Sequence, residues 1–201
     1  MDDFTTLLAG IACRQQVLAP GDTLFHRGMA AERLYVVRRG RLRLLRHGHE
    51  GQLTVLRVAG PGDLLAEAAL GASHFHCDAV AESAAEVLGY ERRGVEARLR
   101  EDPEAALAWI VLQAREIQRL RTLLALTRQR NARERVLGYL RLLADRRGVV
   151  ELAGSLRELA EEIGLTPEAF YRALGALERD GRLRREGRRV ALLEPPGADT
   201  P

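Results

Sequence analysis

Ser155–Leu193 constrains the fold of this chain more than any other stretch. Ser155-Leu156-Arg157-Glu158 is a capping box, in which the serine hydroxyl accepts a backbone N–H and the glutamate reaches back to the cap. Leu156, Leu159, Ala160 and Ile163 then give one apolar face, and Gly164 is a helix stop. Leu165 is an apolar pin in the turn. Thr166-Pro167-Glu168 opens a second helix with a hydroxyl cap, a proline in the first turn and an acid at the positive end of the dipole. Ala169, Ala173, Leu174 and Leu177 face inward, and Asp180-Gly181 ends the helix. Arg182–Glu186, Gly187 and Arg188–Leu193 read as a two-stranded wing.

Two helices joined by so short a turn cross steeply, which frees the second to enter a DNA major groove. Its outward positions are Glu168, Tyr171, Arg172 and Arg179. Glutamate can accept from cytosine N4, and arginine can grip guanine O6 and N7. Arg184, Arg185, Arg188 and Arg189 on the wing suit phosphates. Ser155, Thr166 and Ala169, at the two helix starts, complete the DNA-facing set. A merely solvated, charged helical hairpin would leave the two caps and the basic wing unexplained.

Composition permits this reading without requiring it. The 201 residues carry a net charge of +3, and all 31 basic side chains are arginine. Every cation is therefore a planar fork suited to phosphates and guanine edges. With 46% hydrophobic residues, the chain can fill one large domain or two small ones. Cys13 and Cys77 are too few for a disulfide scaffold. The acidic start Met1-Asp2-Asp3 and the short run Leu7–Cys13 lack the basic start and long apolar core of a secretory signal. No stretch is long and apolar enough to span a bilayer, so a cytoplasmic protein without a membrane partner is expected.

The chain changes character near residue 94. Before it, Gln15–Pro20, Thr23–Arg27, Leu34–Arg39, Arg41–His47, Gln52–Val58 and Val87–Arg92 read as strands with glycines at the joints. Leu64–Gly71 reads as a short helix. From Pro103 the period becomes helical, with Asp102 as cap and a run to about Arg130. Leu107, Val111, Ala114, Ile117, Leu120 and Leu124 recur on it at three- and four-residue steps. Such a stripe suits pairing with a second copy; an ordinary core helix is the alternative. A helix over Ala132–Asp145 and a strand over Val149–Leu152 follow, and Glu194–Pro201 is a frayed tail.

The stretch from Ser155 to Leu174, with Glu168-x-x-Tyr171-Arg172 inside it, resembles the helix-turn-helix of the Crp/Fnr family of bacterial regulators. Tyr171 stands where the family usually has a small residue. Pro20-Gly21-Asp22, Arg39-Gly40-Arg41 and Gly60-Pro61-Gly62-Asp63 resemble glycine turns of that family's roll. The resemblance covers nearly the whole chain. It implies an α+β protein with an N-terminal β-roll of the cyclic-nucleotide-binding type (1–100), a long dimerisation helix (101–130) and a C-terminal winged helix-turn-helix (131–201). It further implies a homodimer on a two-fold operator, double-stranded DNA and RNA polymerase as partners, and no enzymatic activity.

Family members that bind cyclic AMP use a helix-borne glutamate for the ribose and an arginine for the phosphate. Glu67 matches the acid, but Val58–Glu91 contains no arginine. A buried phosphate without a cation is costly, so cyclic AMP in the usual mode is not expected. Two cysteines cannot hold the four-cysteine iron–sulfur cluster of other members. His74-Phe75-His76-Cys77-Asp78 offers haem or metal ligands or a redox thiol; a loop entering a strand, with Cys77 buried, is the plainer reading. On a strand, His74, His76 and Asp78 would share one face and Cys77 the other. Glu67, His74, His76, Cys77 and Asp78 form the candidate effector pocket, with His74, His76 and Cys77 as metal candidates. His26, His47 and His49 read as surface residues. Two rival classes stand beside the regulator: a cupin-like metalloprotein or metalloenzyme using His74 and His76, and a protein of this fold that has lost DNA binding.

Overall fold

Short apolar runs broken by glycine fold into strands in the first half of the chain, and runs with a helical period fold into helices in the second. The structure, a computed structural model, describes residues 4–48, 52–152 and 155–193. The chain forms two compact units, Met1–Leu112 and Gln113–Pro201.

In the first unit a short helix α1 (Phe4–Leu7) precedes β1 (Cys13–Leu18), β2 (Thr23–Phe25), β3 (Arg33–Arg39), β4 (Leu42–His47), β5 (Leu53–Ala59), β6 (Leu64–Leu65), β7 (Asp78–Ala81) and β8 (Ala85–Glu91). Two antiparallel four-stranded sheets result, ordered β1-β8-β3-β6 and β2-β7-β4-β5. Alternation drives Leu34, Val36, Leu42, Leu44, Ala79, Ala81 and Val87 into one core. Phe25 stacks on Phe75 at 4.0 Å and on Tyr35 at 5.7 Å between ring centroids. The β3–β4 turn requires glycine. Gly40 has φ +76°, and a Cβ there would meet Ala84 O at 2.2 Å.

Two local expectations are corrected. Leu64–Gly71 is not one helix: Leu64–Leu65 pair with β3, and a 3₁₀ turn covers only Glu67–Leu70. A whole helix, α2 (Arg92–Glu101), begins where a strand was expected to end and fills a stretch for which the sequence predicts no element. Its only fully buried residue is Val95, so it carries no recognisable apolar stripe.

The long helix α3 spans Pro103–Arg128, capped by Asp102, whose Oδ1 accepts from the backbone N–H of Glu104 and Ala105. Trp109 packs on the first core, edge-on to Phe4. Leu123 and Leu126 belong to the second core. That core also receives α4 (Ala132–Leu143), α5 (Leu156–Glu162) and α6 (Pro167–Arg179), with the sheet β10-β11-β9 formed by β9 (Val149–Glu151), β10 (Leu183–Glu186) and β11 (Arg189–Leu192). Tyr139, Leu140, Ile163, Phe170 and Leu174 are among its most deeply buried members. His49 and the tail Glu194–Pro201 lie outside the described residues.

Candidate nucleic-acid interface and sensory site

The capped helices form as their sequence dictates. Ser155 Oγ accepts from Glu158 N at 3.3 Å, and Glu158 Oε2 accepts from Ser155 N at 3.0 Å, closing the capping box. Gly164 takes φ +65° in the turn. Thr166 Oγ1 accepts from Ala169 N at 3.2 Å, with Pro167 in the first turn of α6.

The apolar face of α6 is buried through Phe170, Ala173, Leu174, Ala176 and Leu177. The opposite face leaves Glu168, Tyr171, Arg172 and Arg179 exposed, and Ala169 half-buried beside them. Tyr171 is 53% exposed. The Glu168 carboxyl is held below the usual range by hydrogen bonds from its own backbone N–H and from Thr166, with smaller help from Arg172 and Arg157. It therefore stays an ionised acceptor at neutral pH, the state that receiving a base amino group needs.

The wing arginines divide. Arg184 and Arg189 lie on one face of the β10–β11 hairpin, opposite Ala191 and Glu186 respectively. Arg185 pairs across from buried Val190 on the other face, and its N–H donates to Glu178. Arg188 donates from Nε and Nη2 to Leu152 O at 3.0 and 2.6 Å, which ties it to the strand end. The four are thus brought to the wing but not to one surface. Two residues absent from the sequence-derived set join this face. Arg157 on α5 is exposed and pairs with Glu161 at 2.9 Å, and Arg133, at the start of α4, lines a groove with Tyr171, Arg172 and Arg179. Arg157 was legible as the third residue of the capping box; Arg133 was not, because the groove joins distant segments.

In the first unit, Phe75 and Cys77 point inward while His74 and His76 are exposed, so the residues alternate although the strand begins only at Asp78. His74 Nδ1 lies 2.8 Å from Ser73 Oγ. Asp78 accepts from Arg27 N at 2.9 Å and faces His26 Nδ1 at 3.3 Å. The two histidines therefore do not converge on Cys77, and among the described residues no group of three or more histidine, cysteine or acidic side chains could hold a metal ion. His26 and His47 are exposed. Burial pushes the Cys77 thiol up to about 11, with Asp78 and then Glu67 adding to the rise and Arg46 opposing it more weakly. Such a thiol is a poor nucleophile. Ala66, immediately before Glu67, holds a left-handed φ of +63°.

The stripe on α3 is open in the single chain. Leu107, Val111, Ile117, Leu120 and Leu124 are 39–57% exposed, and Ala114 is exposed as well. Ile110, 62% exposed, was missed; it stands seven residues before Ile117 and fourteen before Leu124. Among the described residues no helix is long and apolar enough to cross a membrane.

Comparison with known proteins agrees with both halves. Residues 15–102 match the cyclic nucleotide-binding domain family, and residues 134–197 match the Crp-like helix-turn-helix domain family. The chain is 31% identical over 185 residues to the nitrogen fixation regulation protein FixK of Azorhizobium caulinodans, covering 88% of this chain and 74% of that protein. It is 32% identical over 188 residues to the cyclic AMP receptor protein of Thermus thermophilus, covering 90% and 87%. The structure of FixK2 from Bradyrhizobium japonicum shares the fold, with a TM-score of 0.74 at 22% identity over 92% of this chain and 94% of that one. The expected architecture of roll, long helix and winged helix-turn-helix is thereby established. With the capped reading helix on one unit and the nucleotide-type roll on the other, the chain belongs to the Crp/Fnr family of DNA-binding transcription regulators.

Proposed function

We propose that the protein is a homodimeric regulator that reads a two-fold operator near a promoter, and that its roll senses a signal other than cyclic AMP bound in the usual mode. The observation that carries the reading is the outward row Glu168, Tyr171 and Arg172 on a helix whose other face is buried. Glu168 and Arg172 would contact base edges, while Ser155, Thr166, Ala169 and the wing arginines set register on phosphates. The functional division follows 1–100, 101–130 and 131–201 as sensor, dimer helix and reading head. The chain acts in the cytoplasm and meets RNA polymerase at the promoter.

The open stripe Leu107–Leu124, with Ile110, supports pairing through α3. The roll's chemistry supports the exclusion. Glu67 and Asp78 both act on Cys77, and the one cation acting there, exposed Arg46, is the weakest influence. Val58–Glu91 supplies no arginine, and a cyclic phosphate needs a cation. A Thermus thermophilus relative is named for cyclic AMP; this chain carries the frame without the matching charge. Haem remains compatible with exposed His74 or His76 as a single axial ligand, which an absorption spectrum of anaerobically purified protein would reveal as a Soret band.

The test is a mobility shift on the promoter of the protein's own gene, with and without cyclic AMP. Specific retardation should appear without the nucleotide and be unchanged by it. Binding that requires cyclic AMP would overturn the sensory half, and no sequence-specific binding under either condition would overturn the regulatory half.

A further inference from the structure

Within the unit Gln113–Pro201, a polar chain links α3 to the helix-turn-helix. Arg119 on α3 donates from Nε to Glu116 Oε2 and from Nη1 to Glu162 Oε1, both at 3.1 Å. The other oxygen of Glu162, Oε2, accepts from Tyr139 Oη on α4 at 2.5 Å. Tyr139 is 1% exposed, and the side chains of Arg119, Glu116 and Glu162 are each about three-quarters covered. Arg135 on α4 adds a second tie. Its guanidinium donates to Ile163 O and Gly164 O in the turn and to Gln129 O just beyond α3.

Glu162 is the last residue of α5, and only Ile163–Thr166 separates it from α6. α5 and α6 share one core through Leu159, Ala160, Ile163, Phe170 and Leu174, so they move together. Exposed ion pairs fix little, but a covered carboxylate with both oxygens engaged fixes direction as well as distance. None of Arg119, Glu116, Tyr139 and Glu162 belongs to the DNA-facing set.

We propose that Arg119 is a positioning residue for DNA reading: through Glu162 it sets the direction of α6 relative to the C-terminal half of α3. This rests on the proposed dimer through α3. In such a dimer, the direction of each reading helix relative to the paired helices determines which half-site spacing both heads can fill at once. Arg119 therefore governs the operator's spacer length and leaves its base sequence alone.

The test measures wild type, Arg119→Gln, Glu162→Gln and Arg119→Lys on two-fold operators whose spacer is optimal, one base pair shorter or one base pair longer. Affinity for a single half-site and sedimentation are measured in parallel, to show that the heads are folded and the chain is dimeric. Wild type should prefer its optimal spacer by a factor of about ten or more. The two glutamine variants should bind all three spacings within a factor of about three while keeping half-site base preference, and Arg119→Lys, which still reaches Glu162, should keep most of the discrimination. Glutamine variants that retain the wild-type spacing preference would overturn the proposal. So would an equal loss on every spacing and on the half-site, the mark of a merely structural pair. A wild-type chain that is monomeric or indifferent to spacing would instead overturn the dimer reading, and the proposal with it.

Discussion

The reading head and the roll are built in opposite senses. On the head, the chemically active side chains Glu168, Tyr171 and Arg172 face outward from a helix anchored by Phe170 and Leu174. In the roll, the thiol of the candidate pocket, Cys77, is buried at 2% exposure, and Glu67 and Asp78 stand near it. Both regions retain the frame of the family, but they place their candidate side chains differently. A shared fold does not by itself fix the ligand, so function must be argued from the site.

The head's two faces give the largest expected effect. Phe170 is fully buried, and Phe170→Ala should cost about 3–5 kcal/mol of stability through the cavity it leaves. Its neighbour Tyr171 is exposed, and Tyr171→Ala should cost less than about 0.5 kcal/mol while altering operator preference. Urea unfolding of both variants checks this, and similar losses would dissolve the contrast between anchoring and reading faces.

The roll is sharpened by thiol labelling. At pH 8 a thiol with a pKa of about 11 is ionised in roughly one molecule in a thousand. Exposed Cys13 should therefore be alkylated far faster than buried Cys77. Because folding raises the Cys77 pKa, its contribution to stability is fully present below the unfolded-state pKa and is lost as pH rises through about 11. Rapid labelling of Cys77 at pH 8, followed by mass spectrometry, would bring a redox role back.

Arg172→Ala should lose about 1–3 kcal/mol on the specific operator and relax one base position, with non-specific binding little changed. Equal loss on both DNAs would reduce Arg172 to a phosphate contact. The smallest effect belongs to the strained residue beside Glu67. Ala66→Gly should raise stability by about 1 kcal/mol, because glycine takes a positive φ without steric cost. A destabilised variant, seen in thermal unfolding, would show that the Ala66 side chain packs well enough to outweigh the strain.

The head was legible because its determinants are local. A capping box, a glycine turn and a second hydroxyl cap act between residues three or four apart, and their bonds form as read. The wing's position was equally legible, but the division of its arginines depends on register: Arg185 sits opposite Val190, and Arg184 opposite Ala191. α2 escaped because its burial rests on Val95 and half-buried Leu99, too little to write a helical stripe among arginines and glutamates. Ile110 escaped for a related reason, since α3 is apolar on more than one face and exposure alone separates the stripe from the core side. The Arg119–Glu162–Tyr139 chain joins three helices far apart in sequence, and no spacing rule announces it.

The most direct test of the account is selection of binding sites from random double-stranded DNA by the purified protein without any cyclic nucleotide. The account predicts one enriched two-fold motif, lost when Arg172 is replaced and unchanged by added cyclic AMP. Enrichment that appears only with cyclic AMP, or a motif that lacks two-fold symmetry, would contradict it.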